Sequence, residues 1–254
     1  MLTLELTGKV ALVTGATGQL GRVMARTLAS CGADIALHCR SNRTKAEQLA
    51  GEIRDMGVRA CVVQADVGQL AEVMSMAKSI GDVLGMPDIT VANAVSQYKW
   101  TTILEQDSSD YEDQFRTCVL QSVHLAKAFV PAMQTKGWGR FIGINTECSM
   151  QNFPTQSAYV AGKRGMDGIY RILAKEIGAS GITVNQVAPG WTISARDREE
   201  GTEISEGYSA TVPLHRRGTD QEIANVVAFL ASGLSSFITG AYVPVSGGNV
   251  MPSI

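Results

Sequence analysis

The sequence predicts an α/β fold: a doubly wound parallel sheet of the Rossmann type, with about seven strands and with helices on both faces. Short apolar or β-branched runs alternate along the chain with longer amphipathic stretches, which is the order expected of parallel strands joined by crossover helices. Several runs are apolar at nearly every position, as strands buried on both faces should be. We expect one such domain over residues 1–254.

The apolar runs define the predicted strands. In chain order they are VALVT (10–14), DIALH (34–38), ACVVQ (60–64), ITVAN (89–93), FIGIN (141–145), TVNQVA (183–188) and AYVPV (241–245). The amphipathic stretches that lie between or after them are the predicted helices, at 19–30, 44–56, 70–84, 110–135, 157–179 and 220–232. The long polar segment 191–215 has no core-like pattern, and in a compact α/β domain such an insertion predicts a substrate lid.

Composition narrows the classes of function. The formal net charge is -2 and no basic patch occurs, so we expect no nucleic-acid partner. No apolar run reaches the roughly 18 residues of a membrane span, and the N-terminal MLTLELTGKV lacks the apolar core of a signal peptide, so we expect no membrane association. Five cysteines without a C-x-x-C pair indicate reduced thiols and a cytoplasmic protein. The 3 histidines lie far apart, and no metal site is predicted.

A glycine-rich turn, TGATGQLG (14–21), follows the first predicted strand and opens the first predicted helix. Its glycines permit a tight turn, close approach of a pyrophosphate and close packing of helix on strand, while the helix N-terminus attracts phosphate. This context favours a dinucleotide site, although the same pattern occurs in turns that only pack. We assign Gly15, Thr17, Gln19 and Leu20 to the cofactor site.

The residues after the second and third strands refine the cofactor. HCRSNR (38–43) has no carboxylate to accept a ribose 2′-hydroxyl, but Arg40 and Ser41 can bind a 2′-phosphate. We therefore favour NADP(H) over NAD(H); the alternative is a solvated basic turn. Asp66 and Val67 end the third strand, where the Asp66 side chain would bind the adenine amino group or, alternatively, cap a helix.

Tyr159 and Lys163 are four residues apart in AYVAGK, so that they share one face of a helix. They follow the hydroxyl of Thr146 and precede NQVAPG (185–190). With TGATGQLG and VANA in the same order, the chain from about Lys9 to Gly248 resembles the short-chain dehydrogenase/reductase family, and especially its compact single-domain members such as the β-ketoacyl carrier-protein reductases.

The resemblance implies an oxidoreductase that transfers hydride between NADP(H) and a carbonyl or secondary-alcohol substrate. Tyr159 would be the general acid, Thr146 would hold the substrate oxygen, and Lys163 would bind the nicotinamide ribose and lower the tyrosine pKa. The other cofactor contacts that the resemblance implies are Asn93, Ala94, Pro189, Gly190 and Ile193. It also implies a homotetramer, or a homodimer, assembled through helices 110–135 and 157–179 and the last strand.

Several residues depart from the family pattern. Gln19 stands where a glycine is usual, and Gly18 supplies one a residue earlier, which is the spacing of the family's extended members. Val95 also replaces a glycine. Cys118 replaces the asparagine that completes the catalytic tetrad, so that the proton relay is weaker, unless the cysteine is only a small core residue. We interpret Glu147 as a solvated loop charge in preference to a pocket residue.

Two further questions stay open at this level. Arg196, Arg198, Arg216 and Arg217 are candidates for a basic patch that would bind a carrier protein, although neighbouring acids dilute them. The altered motifs also allow a non-catalytic dinucleotide sensor, against which the retained Thr146, Tyr159 and Lys163 argue. A carbon–carbon double-bond reductase ranks last, because such members space the Tyr/Lys pair differently.

Overall fold

The fold is built on a seven-stranded, all-parallel sheet; the computed structural model describes residues 4–252. The strand order is β3-β2-β1-β4-β5-β6-β9. Its strands are β1 (Val10–Val13), β2 (Asp34–Cys39), β3 (Ala60–Gln64), β4 (Ile89–Ala92), β5 (Gly139–Ile144), β6 (Ile182–Pro189) and β9 (Tyr242–Val245). Two short strands, β7 (Thr192–Ile193) and β8 (Gly218–Thr219), pair with each other outside the main sheet.

Ten α-helices accompany the strands within the described residues. They are α1 (Gln19–Ser30), α2 (Arg43–Asp55), α3 (Leu70–Val83), α4 (Ser108–Gln114), α5 (Gln121–Lys136), α6 (Cys148–Gln151), α7 (Ser157–Ile177), α8 (Ala195–Glu200), α9 (Glu206–Thr211) and α10 (Asp220–Ala231). A π-helical segment, Phe115–Leu120, joins α4 to α5, and 3₁₀ turns follow at Gly178–Ser180 and Gly233–Ser235. None of the described helices is long and apolar enough to cross a membrane.

The core lies in two layers, one on each face of the main sheet, because its strands carry mostly apolar side chains that are buried on both faces. One layer joins the sheet to α1, α2 and α10, and includes Met24, Leu28, Leu49, Ile53, Ile223 and Val227. The other joins it to α3, α5 and α7, and includes Val73, Ile80, Leu125, Phe129, Met166 and Tyr170. The doubly wound parallel sheet predicted from the sequence is confirmed.

The strand order reverses between β1 and β4, which are neighbours in the sheet although β2 and β3 separate them in sequence. At such a switch point the loops after the two strands diverge to opposite faces and leave a crevice at their carboxyl ends. Val13 aligns with Val91, so the turn after β1 and the loop after β4 meet there. Some of the sequence-predicted site residues, among them Leu20, Asn93 and Lys163, line a cavity at this crevice, whereas Arg40 and Ser41 lie exposed after β2.

The structure differs from the predicted elements mainly in the long helix and the lid. The predicted helix 110–135 is three segments, because the π-helical turn adds one residue to the helical repeat at Phe115–Leu120. The predicted lid 191–215 contains strand β7 and helices α8 and α9, and β7 pairs with β8, which lies just after the lid. It is thus an ordered segment with its own short elements.

Candidate active site

The glycine turn after β1 uses its three glycines differently. Gly15 has a φ of +62°, and a Cβ there would lie 3.0 Å from the Ala94 Cα. A Cβ at Gly21 would overlap the carbonyl oxygen of Gly15. Gly18 has a φ of -73°, which any residue adopts. Gly15 and Gly21 are therefore required by the backbone, whereas a Cβ at Gly18 would make a single tight contact, 3.2 Å from the Gly15 carbonyl oxygen.

His38, at the penultimate position of β2, supports this turn from below. Its Nδ1 accepts a 3.1 Å hydrogen bond from the Gly15 N–H, so Nε2 carries the proton and donates to the Ala65 carbonyl at 2.9 Å. The imidazole is buried, and burial lowers the pKa of His38. Sequence reasoning placed His38 only within a candidate phosphate loop; the pairing of its ring with a backbone amide 23 positions away leaves no sequence signal.

The first turn of α1 is open to a ligand. No side chain caps its N-terminus, and no acidic residue lies in its first turn, so its N–H groups suit a phosphate. Gln19 begins the helix, and its side-chain amide donates a 3.1 Å hydrogen bond to the Ile193 carbonyl on β7. Thr17 is half-buried in the turn, and Leu20 lines the neighbouring cavity.

The loop after β4 is held to the glycine turn by Thr14 and Asn93. The Thr14 hydroxyl accepts from the N–H groups of Asn93 and Ala94 at 2.9 and 3.0 Å and donates to the Gln121 side chain at 2.7 Å. The Asn93 amide donates to the Thr14 carbonyl at 2.9 Å. Both predicted residues of this strand therefore lie against the turn, and Asn93 also lines the cavity.

The residues predicted for the adenosine end lie along the ends of β2 and β3. Arg40 and Ser41 are exposed, and Arg40 forms no ion pair within residues 4–252. One oxygen of Asp66 accepts from the Gly68 N–H at 2.8 Å, whereas α3 begins only at Leu70. Asp66 therefore closes a turn and does not cap the helix. Val67 is buried beside it.

A cavity of about 180 Å³ brings the predicted catalytic residues together. Thr146, Tyr159 and Lys163 line one part of it, and Pro189 and Gly190 line another. Its remaining lining residues are Leu20, Asn93, Val95, Ile144, Asn145 and Thr192. Ile193, which the resemblance implies contacts the cofactor through its backbone, follows the lining residue Thr192 on β7.

Lys163 is 3% exposed and its Nζ donates a 2.6 Å hydrogen bond to the Ile144 carbonyl at the end of β5. An ammonium carries three N–H donors, so two remain for a ligand in the cavity. Burial lowers the pKa of Lys163. Asn145 fixes the helix that carries it, because its side-chain amide donates to the Lys163 carbonyl at 3.1 Å and to Gln186 at 2.7 Å.

Tyr159 stands beside Lys163, whose Nζ lies 5.7 Å from the centre of its ring. Burial raises the pKa of Tyr159 above its ordinary value, and a hydrogen bond with the Thr146 side chain acts in the opposite direction. The net shift is therefore upward, whereas the resemblance implied a lowered pKa. The Tyr98 hydroxyl accepts a 2.7 Å hydrogen bond from the Tyr159 backbone N–H. The Trp100 ring stacks on the Tyr159 ring, with 6.0 Å between the two ring centres.

Comparison with known proteins decides the family. Residues 15–249 match the model of a family described as enoyl-(acyl carrier protein) reductase. The chain is 35% identical over 248 residues to the 3-oxoacyl-(acyl-carrier-protein) reductase of Pseudomonas aeruginosa, covering 98% of this chain and 100% of that protein. It belongs to the short-chain dehydrogenase/reductase family. A Staphylococcus aureus protein of the same name is 34% identical over 243 residues, covering 96% and 98% of the two chains.

Solved structures of short-chain dehydrogenase/reductases superpose closely on this one. A gluconate 5-dehydrogenase from Burkholderia cenocepacia, in complex with NADP and tartrate, has a TM-score of 0.89 at 29% identity and covers 97% of this chain and 96% of its own. A xylitol dehydrogenase with bound NAD⁺ has a TM-score of 0.89 at 29% identity, covering 95% and 99%. These two neighbours carry different dinucleotides, so the likeness of fold leaves the choice to local residues.

Cys118 occupies the position at which family members carry asparagine, within the π-helical turn. It is 1% exposed and belongs to the hydrophobic core beneath α5 and α7. Burial raises the pKa of its thiol, and the charge of Lys163 opposes that rise. The thiol makes a weak contact, a 3.8 Å hydrogen bond to the Gln114 side chain. The π-helical turn thus carries a poor donor and acceptor at this position.

Glu147 is not the solvated loop charge that the sequence suggested: it is 3% exposed. The Tyr208 hydroxyl donates to its Oε1 at 2.8 Å, and Asn249 donates to its Oε2 at 3.1 Å. Burial raises the pKa of the carboxyl, and these hydrogen bonds oppose the rise. The partners lie 61 and 102 positions away in the chain, which is why no local pattern revealed the burial.

The candidate basic patch near the lid is neutralised. Each of its four arginines is within 3.0 Å of a carboxylate; the pairs are Arg196–Glu200, Arg198–Asp220, Arg216–Glu222 and Arg217–Asp197. Arg217 is also buried under Trp191, with its guanidinium carbon 4.3 Å from the ring centre. Two of the pairs, Arg198–Asp220 and Arg217–Asp197, join the lid to the body of the protein, and none of the four arginines is left without a carboxylate.

Proposed function

We propose that this oxidoreductase transfers hydride between NADP(H) and a carbonyl or secondary-alcohol substrate through Thr146, Tyr159 and Lys163. The observation that carries the proposal is the shared cavity, in which a phenol, an ammonium and a hydroxyl face one space at the switch point of the sheet. Three polar groups of these types are what carbonyl reduction needs: a proton donor, a group to hold the cofactor and a group to orient the substrate oxygen.

The residues present fit a dinucleotide. The N-terminus of α1 has no side-chain cap, so its N–H groups suit the pyrophosphate. The turn that precedes it has a glycine at position 15, where the close approach of Ala94 leaves no room for a side chain, so no side chain at this position blocks the pyrophosphate. The two N–H groups of Lys163 that do not bind the Ile144 carbonyl suit the ribose hydroxyls. When bound, the nicotinamide supplies or accepts the hydride. Arg40, exposed and without an ion pair within residues 4–252, supports NADP(H) over NAD(H), because a guanidinium binds a 2′-phosphate well.

Each catalytic side chain has a separate task. The raised pKa of Tyr159 keeps its hydroxyl protonated at neutral pH, so it can give a proton to the substrate oxygen as a carbonyl is reduced. The Thr146 hydroxyl accepts from the Cys148 N–H at 3.2 Å, and its own hydrogen bond with Tyr159 places it to hold the same substrate oxygen. Lys163 positions the cofactor and provides the positive charge that stabilises a tyrosinate after the proton has left.

The surroundings of the cavity indicate which segment covers it and which class of substrate it would accept. Segment 191–215 covers the site from the side of Gly190, where the Trp191 N–H donates to the Tyr208 hydroxyl at 2.9 Å. Because the lid arginines are paired, we favour a free small molecule over a substrate delivered by an acidic carrier protein. A cytoplasmic location agrees with five unbridged cysteines within the described residues.

We also infer a homotetramer or homodimer, because large apolar side chains are exposed on the surfaces that the sequence predicts as interfaces. Phe115 and Ile172 are 52% and 57% exposed on the helices, and Phe237 is fully exposed in the segment that precedes β9. Light scattering of the purified protein tests this; a monomer at micromolar concentration would contradict it.

The decisive test compares binding with turnover. Thermal shifts with NADPH and NADH, followed by a panel of carbonyl and alcohol substrates, should show NADPH binding and hydride transfer. The Tyr159→Phe variant should bind NADPH as the wild type does but lose roughly 10²- to 10⁴-fold in turnover. Binding of NADPH without turnover of any substrate, or turnover that is indifferent to Tyr159→Phe, would instead identify a dinucleotide sensor.

A further inference from the structure

Glu147 is a buried carboxylate for which the catalytic roles described above have no use. It forms no ion pair with any Lys, Arg or His of residues 4–252. Removing a carboxylate from water without a cation is costly, since its desolvation is not balanced by an opposite charge. A charge retained in such a place suggests a cationic partner that binds transiently.

The hydrogen bonds around Glu147 identify its ionised form. The Trp191 N–H donates to the Tyr208 oxygen at 2.9 Å, so the proton of Tyr208 points to Glu147 Oε1 at 2.8 Å. Asn249 donates to the other oxygen at 3.1 Å. Every partner is thus a donor, which suits a carboxylate that only accepts and leaves a carboxylic acid no acceptor for its proton.

The carboxylate lies directly behind the cavity wall. Glu147 follows Thr146 in sequence, and its N–H donates to the Pro189 carbonyl at 2.9 Å. A Cβ built on Gly190 would come within 3.1 Å of Glu147 Oε2. Thr146, Pro189 and Gly190 all line the cavity. Only the backbone of the cavity wall at Gly190 therefore separates the negative charge of Glu147 from a ring that would lie in the cavity against Gly190.

The reaction changes the charge inside this cavity. Oxidised nicotinamide carries a positive charge that the reduced ring lacks, and a charge held in a low-dielectric wall acts on that difference. Lys163 is a buried positive charge that lines the cavity, and it disfavours binding of the positively charged, oxidised ring. Without an opposing carboxylate the site would therefore favour the reduced cofactor.

We propose that Glu147 is the counter-charge of the oxidised nicotinamide and strengthens binding of NADP⁺ relative to NADPH. This inference rests on the proposed function. It assigns to Glu147 an electrostatic role, since it does not line the cavity and need not touch the substrate. On the enzyme, it shifts the equilibrium between carbonyl with NADPH and alcohol with NADP⁺ toward the alcohol and the oxidised cofactor.

The test is the ratio of two dissociation constants, measured by calorimetry without any turnover. In Glu147→Gln, which keeps the shape and the bond from Tyr208, NADP⁺ binding should weaken by about tenfold, or about 1.4 kcal/mol, while NADPH binding stays nearly unchanged. Glu147→Met removes the same charge with an apolar side chain of similar size and should give the same change in ratio.

Tyr208→Phe is the matched control. It removes the hydrogen bond that ties the lid to Glu147, and the one between Tyr208 and Trp191 within the lid, but leaves the carboxylate in place. Both affinities should then fall by the same factor, so that the ratio is kept. A purely structural role of Glu147 predicts this uniform change for Glu147→Gln as well, and that result would overturn the inference while leaving the proposed function intact.

Two other outcomes are informative. If the wild type binds neither dinucleotide, the proposed function itself is wrong. If neither variant of Glu147 folds, as judged by its melting temperature, the wild-type ratio decides: NADPH bound more tightly than NADP⁺ contradicts the counter-charge. If the unphosphorylated pair binds better, the same measurements are made with NAD⁺ and NADH.

Discussion

The side-chain amide of Gln19 donates a 3.1 Å hydrogen bond to the carbonyl oxygen of Ile193, and so joins the glycine turn to the first residues of the lid. The usual family pattern has a glycine at position 19, and a glycine has no side chain to make this bond. Each of the two bonded residues adjoins a residue that lines the cavity, Leu20 beside Gln19 and Thr192 beside Ile193. Gln19 is therefore placed to act as a strap across the cofactor entrance.

Removing this strap should accelerate release of the cofactor. In Gln19→Ala, we expect the dissociation constant of NADPH to rise by about threefold to tenfold, the range for loss of one hydrogen bond, with little change in kcat when cofactor saturates. Stopped-flow displacement measures the off-rate. Gln221→Ala is the control, because Gln221 also bridges to α1, at Thr27, but on the outer surface. Equal off-rates in both variants would contradict the strap.

Arg40 should determine the preference for the phosphorylated cofactor. Arg40→Ala is expected to weaken NADPH by about tenfold or more and to leave NADH unchanged, because only NADPH offers a 2′-phosphate to a guanidinium. Arg43→Ala provides the comparison: Arg43 is already paired with Glu47 at 3.1 Å, and its loss should matter less. Titration of tryptophan fluorescence with each dinucleotide measures all four constants. A selectivity that survives Arg40→Ala would assign the preference to other residues.

His38 should make stability depend on pH. Burial lowers the pKa of the folded imidazole below its ordinary value of 6.5, and the nearby Asp66 carboxylate opposes this only in part. A lowered folded pKa means that the unfolded chain takes up the proton first. The stabilisation is therefore complete above pH 6.5 and is lost as the pH falls through the folded pKa. The melting temperature of the wild type should fall more steeply than that of His38→Gln between about pH 7 and 5. Parallel curves for the two proteins would show that His38 does not titrate.

Cys118 offers a test of the proton relay. An asparagine there would restore a donor and acceptor beside Lys163, so Cys118→Asn is expected to raise kcat severalfold at unchanged KM. It should also lower the melting temperature, because a polar amide enters a position that is 1% exposed. Cys118→Ala, which restores no polar group, should leave kcat unchanged. Unchanged or reduced turnover in Cys118→Asn would show that no relay is missing.

Most of the fold follows from the sequence because strands buried on both faces must be apolar throughout. Helix α1 has its predicted bounds, 19–30, and the ends of the main-sheet strands fall within two residues of prediction. The π-helical turn was missed, because a change in hydrogen-bond pattern leaves the amphipathic pattern nearly unaltered. The lid helices are short and polar; only the Ser194–Asp197 capping box of α8 offered a local signal.

The parts of the candidate site that depend on a local sequence motif could be predicted from the sequence. The parts that depend on contacts between segments far apart in the chain could not. Tyr159 and Lys163 share a helix face, and helical spacing alone indicates this. The partners of Glu147 and the role of His38 depend on contacts between strands and loops far apart in sequence. The same holds for Lys163 and the Ile144 carbonyl, which meet because β5 and α7 pack together. Such relationships require the tertiary structure.

The backbone at Gly18 bears on how chains of this kind are sorted. Its φ of -73° is open to every amino acid, so the backbone conformation alone does not require a glycine there. A pattern search keyed to the middle glycine would group this chain with the extended branch, away from a bacterial reductase that shares 35% of its residues along nearly its whole length. Signatures for this superfamily are better anchored on the two outer glycines, whose replacement the geometry forbids.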